Sequence, residues 1–370
     1  MSEPTTTTLA TLGVTCRLSD KSLAQVRALF PTVHYYPTGD IPLEILAQCD
    51  VLYADPVGLP AHVTALAQAP RLQHLQLRCA GADKALRHAA VRAATDAGGA
   101  PPFSLATSSG LHTIAIPQYV LGTALALYHR LPRQIVITKA EARWPSHADI
   151  VGDTEACFPP SLNEYNYYGR SLRGKTVGML GYGHIARETA RLFQAFGCEI
   201  VAANTQGKAR VDNGFHYPNT GDPEGRLPRA YFSTADDSAM ADFFRQTDIL
   251  VASLPGTAQT AGFLTEAKLA LLKPYALFVN VGRGSLVSSD AILARLAAPQ
   301  GLAGAALDVT DPEPLPSGHP LFAHPRTIVT PHIAGVGEGE FEGAVDVLAW
   351  NVERLRRGEA VHGVEWRRGY

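Results

Sequence analysis

The stretch Thr176-Val177-Gly178-Met179-Leu180-Gly181-Tyr182-Gly183-His184-Ile185-Ala186 decides the fold. Thr176 to Leu180 carries no charge and reads as a buried strand. Beyond the two glycines, Ile185, Thr189, Leu192, Phe193 and Phe196 recur at helical spacing until Gly197 stops the pattern. A strand, a glycine turn and a helix make a dinucleotide fingerprint of the form G-x-G-x-x-A. Gly181 permits the tight turn, Gly183 lets backbone N–H groups reach a pyrophosphate, and the small Ala186 lets helix and strand pack closely, with the anion on the helix N-terminus. A second strand, Cys198 to Ala203, follows at once, so the motif lies inside a complete β-turn-α-β unit. A glycine turn without a ligand and an S-adenosylmethionine site are the alternatives left open by these residues alone.

At 370 residues the chain exceeds what one hydrophobic core usually organises, so two domains are expected. Apolar residues make up 46% and charged residues 18%, an ordinary globular balance, and the net charge of −2 gives no basic footprint for nucleic acid or a membrane surface. Cys16, Cys49, Cys79, Cys157 and Cys198 are odd in number and form no CxxC or Cys/His cluster, which points to reduced thiols and to no metal site. The polar start from Met1 reads as disordered, without a leader, and no run reaches the roughly 18 apolar residues of a membrane span. The expectation is a soluble, cytoplasmic protein.

Ahead of the fingerprint, short apolar strands alternate with helical patterns: Gly13 to Arg17, a helix face of Leu23, Val26, Leu29 and Phe30, then Val33 to Tyr36, Pro42 to Gln48, Val51 to Ala54, Pro60 to Gln68, Leu75 to Arg78 and Phe103 to Ala106. That alternation predicts an α/β domain with a parallel sheet. Arg78-Cys79-Ala80-Gly81-Ala82-Asp83 follows a strand directly, and its small residues leave backbone N–H groups open to an anion or form a plain turn. His112, after Ser108-Ser109-Gly110, reads as a loop histidine. The apolar pattern Ile116 to Leu131 predicts a buried helix and a dimer contact. Pro132 to Arg173, with Trp144, Pro159, Pro160, Tyr165, Tyr167 and Tyr168, reads as an irregular crossing loop. Gly207 to Asp237, rich in Gly, Pro, Asn and Asp, reads as a surface insertion. After it come strands at Asp248 to Leu254, Leu277 to Val281, Leu302 to Val309 and Thr327 to Thr330. Helices near Glu266 to Leu272 and Ala291 to Ala297 lie among them, the second capped by Ser288 or Ser289.

Three ionisable residues stand just beyond strands of the fingerprint domain: Arg283 after Leu277 to Val281, Glu313 after Leu302 to Val309 and His332 after Thr327 to Thr330. In an open parallel sheet, that edge is where ligands bind. The set suits reduction of a 2-oxo acid. A guanidinium holds a carboxylate and polarises the adjacent carbonyl, an imidazolium protonates the oxygen as hydride reaches carbon, and a carboxylate supports the imidazolium. Each residue taken singly is better explained as a surface or turn residue, and it is their joint placement beside the fingerprint that points to chemistry.

These residues also carry a resemblance. Gly181-Tyr182-Gly183-His184-Ile185-Ala186, Asn280-Val281-Gly282-Arg283-Gly284, Ala306-Leu307-Asp308-Val309 running on to Glu313-Pro314, and Thr330-Pro331-His332 are similar to the motifs of the D-isomer-specific 2-hydroxy acid dehydrogenases, in the same order, over about Leu75 to His332. The resemblance implies two doubly wound parallel-sheet domains, a Rossmann dinucleotide-binding domain (115–333) inserted in a flavodoxin-like substrate domain (1–114 plus 334–370). It implies that Arg283 clamps the substrate carboxylate, that His332 is the acid/base supported by Glu313, and that Ala80, Gly81 and Ala82 bind the carboxylate through backbone N–H groups. The implied cofactor set is Gly181, Tyr182, Gly183, His184, Ile185, Asn204, Thr205, Lys208, Arg210, Leu254, Pro255, Val281 and Asp308, with Asp308 on the nicotinamide carboxamide. The expected protein is a homodimeric reductase of small 2-oxo acids, nearest to the glyoxylate and hydroxypyruvate reductases.

Two departures matter. Many members carry an acidic residue after the second strand, where this chain has Asn204, followed by Thr205, Gln206, Lys208 and Arg210; the expected cofactor is therefore NADPH rather than NADH. The helix at Ile116-Pro117-Gln118 lacks the Ala-Glu pair usual at its start. The alternative from another class is a dinucleotide-sensing corepressor of the same fold.

Overall fold

The computed structural model describes residues 8–151, 158, 159, 161, 162, 167–361, 363, 364 and 366. The polar start before Thr8, Cys157, Pro160, Tyr165 and the last four residues lie outside the described residues. The chain divides into two compact units: one runs through His112 and includes residues 213–217 and everything from Gly337 onward, and the other comprises 113–212 and 218–336.

The first unit holds five parallel strands, β1 (Thr11–Val14), β2 (Thr32–Tyr35), β3 (Val51–Ala54), β4 (His74–Leu77) and β5 (Ser104–Ala106), in the order β2-β1-β3-β4-β5. That order is the flavodoxin-like form of the doubly wound sheet. β3 and β4 are buried at every position, as central strands of a covered parallel sheet must be. The helix Asp20–Leu29 is capped by Ser19, whose Oγ accepts from the Ser22 N–H. The long helix Glu340–Arg356 is fastened to the sheet by a buried hydrogen bond from Asn351 Nδ2 to Gln76 Oε1 at 2.7 Å. Pro60 to Gln68, read as part of the strand and helix alternation, forms turns and a single 3₁₀ turn at Leu66–Gln68. The large apolar residues of that stretch, Val63 and Leu66, are too few to make a helical stripe long enough to bury.

The second unit holds seven parallel strands: β6 (Thr176–Leu180), β7 (Glu199–Asn204), β8 (Ala230–Ser233), β9 (Ile249–Ala252), β10 (Leu277–Asn280), β11 (Gly304–Leu307) and β12 (Thr327–Val329). Their order, β12-β11-β10-β9-β6-β7-β8, reverses direction between β6 and β9. This is the Rossmann arrangement with one strand added, and the reversal is its ligand-binding switch point. Apolar side chains line both faces. Phe193, Met179, Val251 and Val279 pack on one, and Phe243, Phe244, Leu250 and Phe278 on the other, each large side chain contributing about 1.5–3 kcal/mol by leaving water.

Two readings of this unit are corrected. Pro132 does not begin an irregular loop but sits in the first turn of a helix, Leu131–Ala140, where a proline loses no hydrogen bond; Arg130, at φ 55°, separates it from the helix Ala115–Tyr128. Gly207 to Asp237 is not a surface insertion throughout. Ala230–Ser233 is the edge strand β8, paired in register with Val201 to Asn204, residues 213–217 belong to the first unit, and Asp222 is 7% exposed. Its polar residues serve buried hydrogen bonds, which composition does not distinguish from solvation.

Candidate active site

Strand β6 delivers the chain to Gly181, whose φ of 88° favours glycine and whose N–H donates to the Ala203 carbonyl at 3.0 Å. Gly183 is the N-cap of the helix His184–Ala195 and supplies no side-chain cap, so the first-turn N–H groups keep the orientation that receives an anion. A Cβ built on Gly183 meets nothing within 4 Å, which leaves the approach to those N–H groups open. Ala186 is fully buried between helix and sheet. The residues therefore fit a dinucleotide pyrophosphate.

The turn after β10 owes its shape to close packing. A Cβ on Gly282 would stand 2.7 Å from the Leu254 carbonyl oxygen, and one on Gly284 1.8 Å from that of Thr310. Only glycine fits at either place. Asn280, 1% exposed, holds the turn from within: its Oδ1 accepts from the Gly282 N–H and its Nδ2 donates to the Arg283 carbonyl, both at 3.1 Å. Arg283, between the two glycines, is half-buried, and its Nη1 donates to the Gly282 carbonyl at 2.9 Å. Leu254 and Pro255 are half-buried after β9, and Val281 is 7% exposed beside the turn.

His332 and Glu313 meet: Nδ1 and Oε1 are 2.7 Å apart, with the side chains 49% and 42% exposed. A carboxylate only accepts, so Nδ1 carries the hydrogen and Nε2 is left for proton exchange. His332 has φ 57°, an uncommon conformation for a residue with a side chain, so neighbouring groups must hold it there. Asp308 does so. Its carbonyl accepts from the His332 N–H at 2.9 Å, and its carboxylate accepts from the Ile333 and Ala334 N–H groups at 2.9 and 3.0 Å and from Thr330 Oγ1 at 2.6 Å. Thr330 spends its one hydrogen on that carboxylate, so Tyr119 donates to Thr330 over 2.8 Å. Burial pushes the Tyr119 phenol up to about 12, which keeps it a donor. The helix Ala115–Tyr128 thereby braces the histidine loop.

Of the expected site residues, Arg283, Asp308, Glu313 and His332 all follow the C-terminal ends of β10, β11 and β12, on the edge the fingerprint also uses. Asn204, at the end of β7, has its side chain in its own turn, Nδ2 donating to the Lys208 carbonyl at 2.9 Å and Oδ1 accepting from the Gln206 N–H at 3.1 Å. Thr205, Lys208 and Arg210 are exposed, while Tyr182 is buried and His184 and Ile185 half-buried. Ala80, Gly81 and Ala82 follow β4 in the first unit, where Arg78 is held by Asp55 through two hydrogen bonds of 3.0 and 3.1 Å. The sequence reading missed the holding residues Asn280, Thr330 and Tyr119. An Asx residue two positions before a glycine was the available signal for Asn280; nothing local marks the other two. Among the described residues no group of three or more His, Cys, Asp or Glu could hold a metal ion, and no helix is long and apolar enough to cross a membrane.

Residues 154–334 match the family model described as D-isomer specific 2-hydroxyacid dehydrogenase, NAD binding domain. Among curated proteins, the chain is 35% identical over 196 residues to a glyoxylate/hydroxypyruvate reductase A of Citrobacter koseri, covering 53% of this chain and 56% of that one. It is 36% identical over 167 residues to a glyoxylate reductase of Aeropyrum pernix, covering 45% and 44%. The chain thus spans about half the length of the curated relatives it matches. A D-isomer specific 2-hydroxyacid dehydrogenase of Xanthobacter autotrophicus Py2, solved with NADPH and MES, aligns over 98% of this chain and 100% of that one with TM-score 0.72 at 22% identity, which is a likeness of fold. The dinucleotide-binding unit of the chain is thus similar to that of the D-isomer specific 2-hydroxyacid dehydrogenase family.

Proposed function

We propose that the protein is an NADPH-dependent reductase of small 2-oxo acids that forms D-2-hydroxy acids, with glyoxylate and hydroxypyruvate as the first substrates to try. The observation that carries this reading is the 2.7 Å His332–Glu313 pair beyond β12 and β11, in the same unit as Arg283 and the fingerprint. When bound, a reduced nicotinamide supplies the hydride. Arg283 binds the substrate carboxylate and draws electron density from the adjacent carbonyl. His332, with its Nδ1 hydrogen held by Glu313, gives a proton from Nε2 to the carbonyl oxygen as the carbon is reduced. Asp308 braces the histidine loop, and Oδ2, which accepts one hydrogen bond, has capacity left for a carboxamide N–H.

The preference for NADPH rests on charge. Asn204 stands where an acidic side chain would repel a 2′-phosphate, and Lys208 and Arg210 follow within six residues. The relative solved with NADPH belongs to the same family by its own description. A homodimer in the cytoplasm is part of the proposal: Ile135, Val136 and Trp144 are 55%, 63% and 92% exposed after the helix Ala115–Tyr128, apolar surface of the sort a subunit interface covers. Oxidation of NADPH by a panel of 2-oxo acids tests the reading. Turnover of at least one small 2-oxo acid is expected; binding of dinucleotide with no turnover of any panel member would favour the corepressor-like alternative.

A further inference from the structure

The segment that follows Asn204 is tied to the fingerprint by a buried polar cluster. Arg187, one turn into the helix His184–Ala195, is 2% exposed. Its guanidinium donates from Nη2 to the Arg210 carbonyl at 2.9 Å and from Nη1 to the Asp222 carbonyl, and its Nε lies 3.5 Å from Asp212 Oδ2. The Asp222 carboxylate accepts from the Tyr182 hydroxyl at 2.7 Å and from the N–H groups of Arg226 and Leu227 at 2.9 and 3.0 Å. Tyr182 is the middle residue of Gly181-Tyr182-Gly183, so Asp222 is bonded to the fingerprint turn itself. Burial, and after it the bond to Asp222, pushes the Tyr182 phenol well above its ordinary range, so it remains a donor. Tyr231 on β8 stacks edge-on to Tyr182 at 5.6 Å and donates to the Gly225 carbonyl at 2.8 Å. A Cβ on Gly225 would stand 3.1 Å from the Arg210 carbonyl oxygen, so residues 222–225 back Arg210 directly. His184 Nε2 faces Asp212 Oδ1 at 3.2 Å.

A buried guanidinium held by one carboxylate and two backbone carbonyls adds little net stability, but it favours the one arrangement in which all three acceptors are in place. The arrangement selected fixes the backbone at Arg210 and Asp212 against the first turns of the pyrophosphate helix. The Lys208 and Arg210 side chains are exposed, while the Arg210 carbonyl is held to that helix through Arg187. Asn204, with both polar atoms of its side chain used within 204–208, shapes the turn that leads there.

We propose that residues 208–226 form a clamp locked onto the fingerprint by Arg187, Tyr182, Asp212 and Asp222, and that Arg210, carried by this clamp, is the residue that selects for a 2′-phosphate. The proposal rests on the NADPH reading and makes it specific. Arg187, Tyr182 and Asp222 are positioning residues: they act on selectivity through Arg210.

The test is dissociation constants for NADPH and NADH, read by cofactor fluorescence, and for adenosine 2′,5′-bisphosphate and AMP, read by thermal shift, on the parent, Arg210→Gln, Lys208→Gln and Tyr182→Phe. Arg210→Gln removes a charge-assisted contact, so NADPH and adenosine 2′,5′-bisphosphate should weaken by about 10- to 100-fold, with NADH and AMP held within about threefold. Tyr182→Phe keeps the ring and removes only the hydroxyl, so it should show the same selective loss at about 3- to 10-fold, with a melting temperature within a few degrees of the parent. A parent that prefers NADPH while Arg210→Gln keeps that preference, or a loss that falls on Lys208→Gln instead, overturns the clamp alone. Equal losses of NADH and NADPH in Tyr182→Phe overturn the positioning role. A parent that binds NADH more tightly overturns the cofactor reading and the clamp with it.

Discussion

Replacing Gly183 by alanine should separate binding from folding. Gly183 has φ −93° and ψ −167°, ordinary extended backbone that alanine adopts, and the added methyl meets no protein atom within 4 Å. Two small effects on stability oppose each other: alanine narrows the unfolded ensemble by about 0.4–1 kcal/mol, and it is a poorer N-cap by a few tenths to about 1 kcal/mol. The melting temperature should therefore stay within a few degrees of the parent. Dinucleotide affinity should not. The methyl would occupy the space through which a pyrophosphate reaches the first-turn N–H groups, and losing one or two hydrogen bonds to a charged group is worth about 2–5 kcal/mol, or roughly 30- to several-thousand-fold in Kd. Fluorescence titration with NADPH beside a thermal melt reads both quantities. Gly284→Ala is the control of opposite character, because its methyl would stand 1.8 Å from the Thr310 carbonyl oxygen and must move backbone; it should lower stability by about 1–3 kcal/mol or more. Parent-like affinity in Gly183→Ala would refute the pyrophosphate site, and a melt far below the parent would refute the open space.

Other predictions concern the proton, the substrate and the fold. At about 4 Å between charge centres, a Glu313–His332 ion pair is worth about 1 kcal/mol in water and about 4 kcal/mol at an effective dielectric of 20. Both side chains are roughly half exposed, so Glu313→Gln should lower kcat about 5- to 30-fold. His332→Asn, which keeps a residue tolerant of φ 57°, should lose about 10²- to 10⁴-fold, and adding Glu313→Gln to it should change little more; additive losses would mean the pair does not act as a unit. Arg283→Ala should remove most turnover while NADPH affinity stays within about threefold, and near-normal turnover of a 2-oxo acid by that variant would sink the clamp role; the expected loss is about 2–5 kcal/mol. In the first unit, burial alone would raise the Asp50 carboxyl, but the N–H groups of Thr11 and Ala10 and the Arg71 guanidinium outweigh it and hold it below the usual range. A depressed folded-state pKa stabilises above the ordinary carboxylate range of about 4 and is lost as pH falls through the folded value. Asp50→Asn should therefore cost about 1–3 kcal/mol at neutral pH in denaturant titrations, with the gap to the parent closing in acid; a gap that widens in acid contradicts this.

What was legible in the sequence was whatever local pattern determines. Thr176 to Leu180 is a strand with the bounds its apolar run suggests, and Ser288 caps the helix Ser289–Ala297 by accepting from the Ala291 N–H, as a serine at that place should. The four motif blocks carried the family resemblance because each is a glycine turn or a strand end whose residues are set by local sequence. Pro132 was misread because proline is both a helix breaker and a helix starter, and only the left-handed Arg130 before it tells which. Gly207 to Asp237 was misread because its order comes from partners far off in sequence: Asp222 is bonded to Tyr182, 40 residues earlier, and Arg187 reaches 23 residues forward to Arg210. Composition reports glycines, prolines and acids there, and the same residues serve a solvated loop or a buried cluster. The support of His332 by Asp308, Thr330 and Tyr119 was hidden for the same reason, since Tyr119 lies 211 residues from Thr330.

The central claim is hydride delivery to a 2-oxo acid with proton donation from His332. It is tested most directly by reducing hydroxypyruvate with NADPH carrying deuterium at C4 and analysing the product by chiral chromatography and mass spectrometry. The account predicts D-glycerate with one deuterium at C2, formed in step with NADPH consumption and lost in His332→Asn. NADPH bound but not consumed, deuterium absent from C2, or L-glycerate as the product would contradict it.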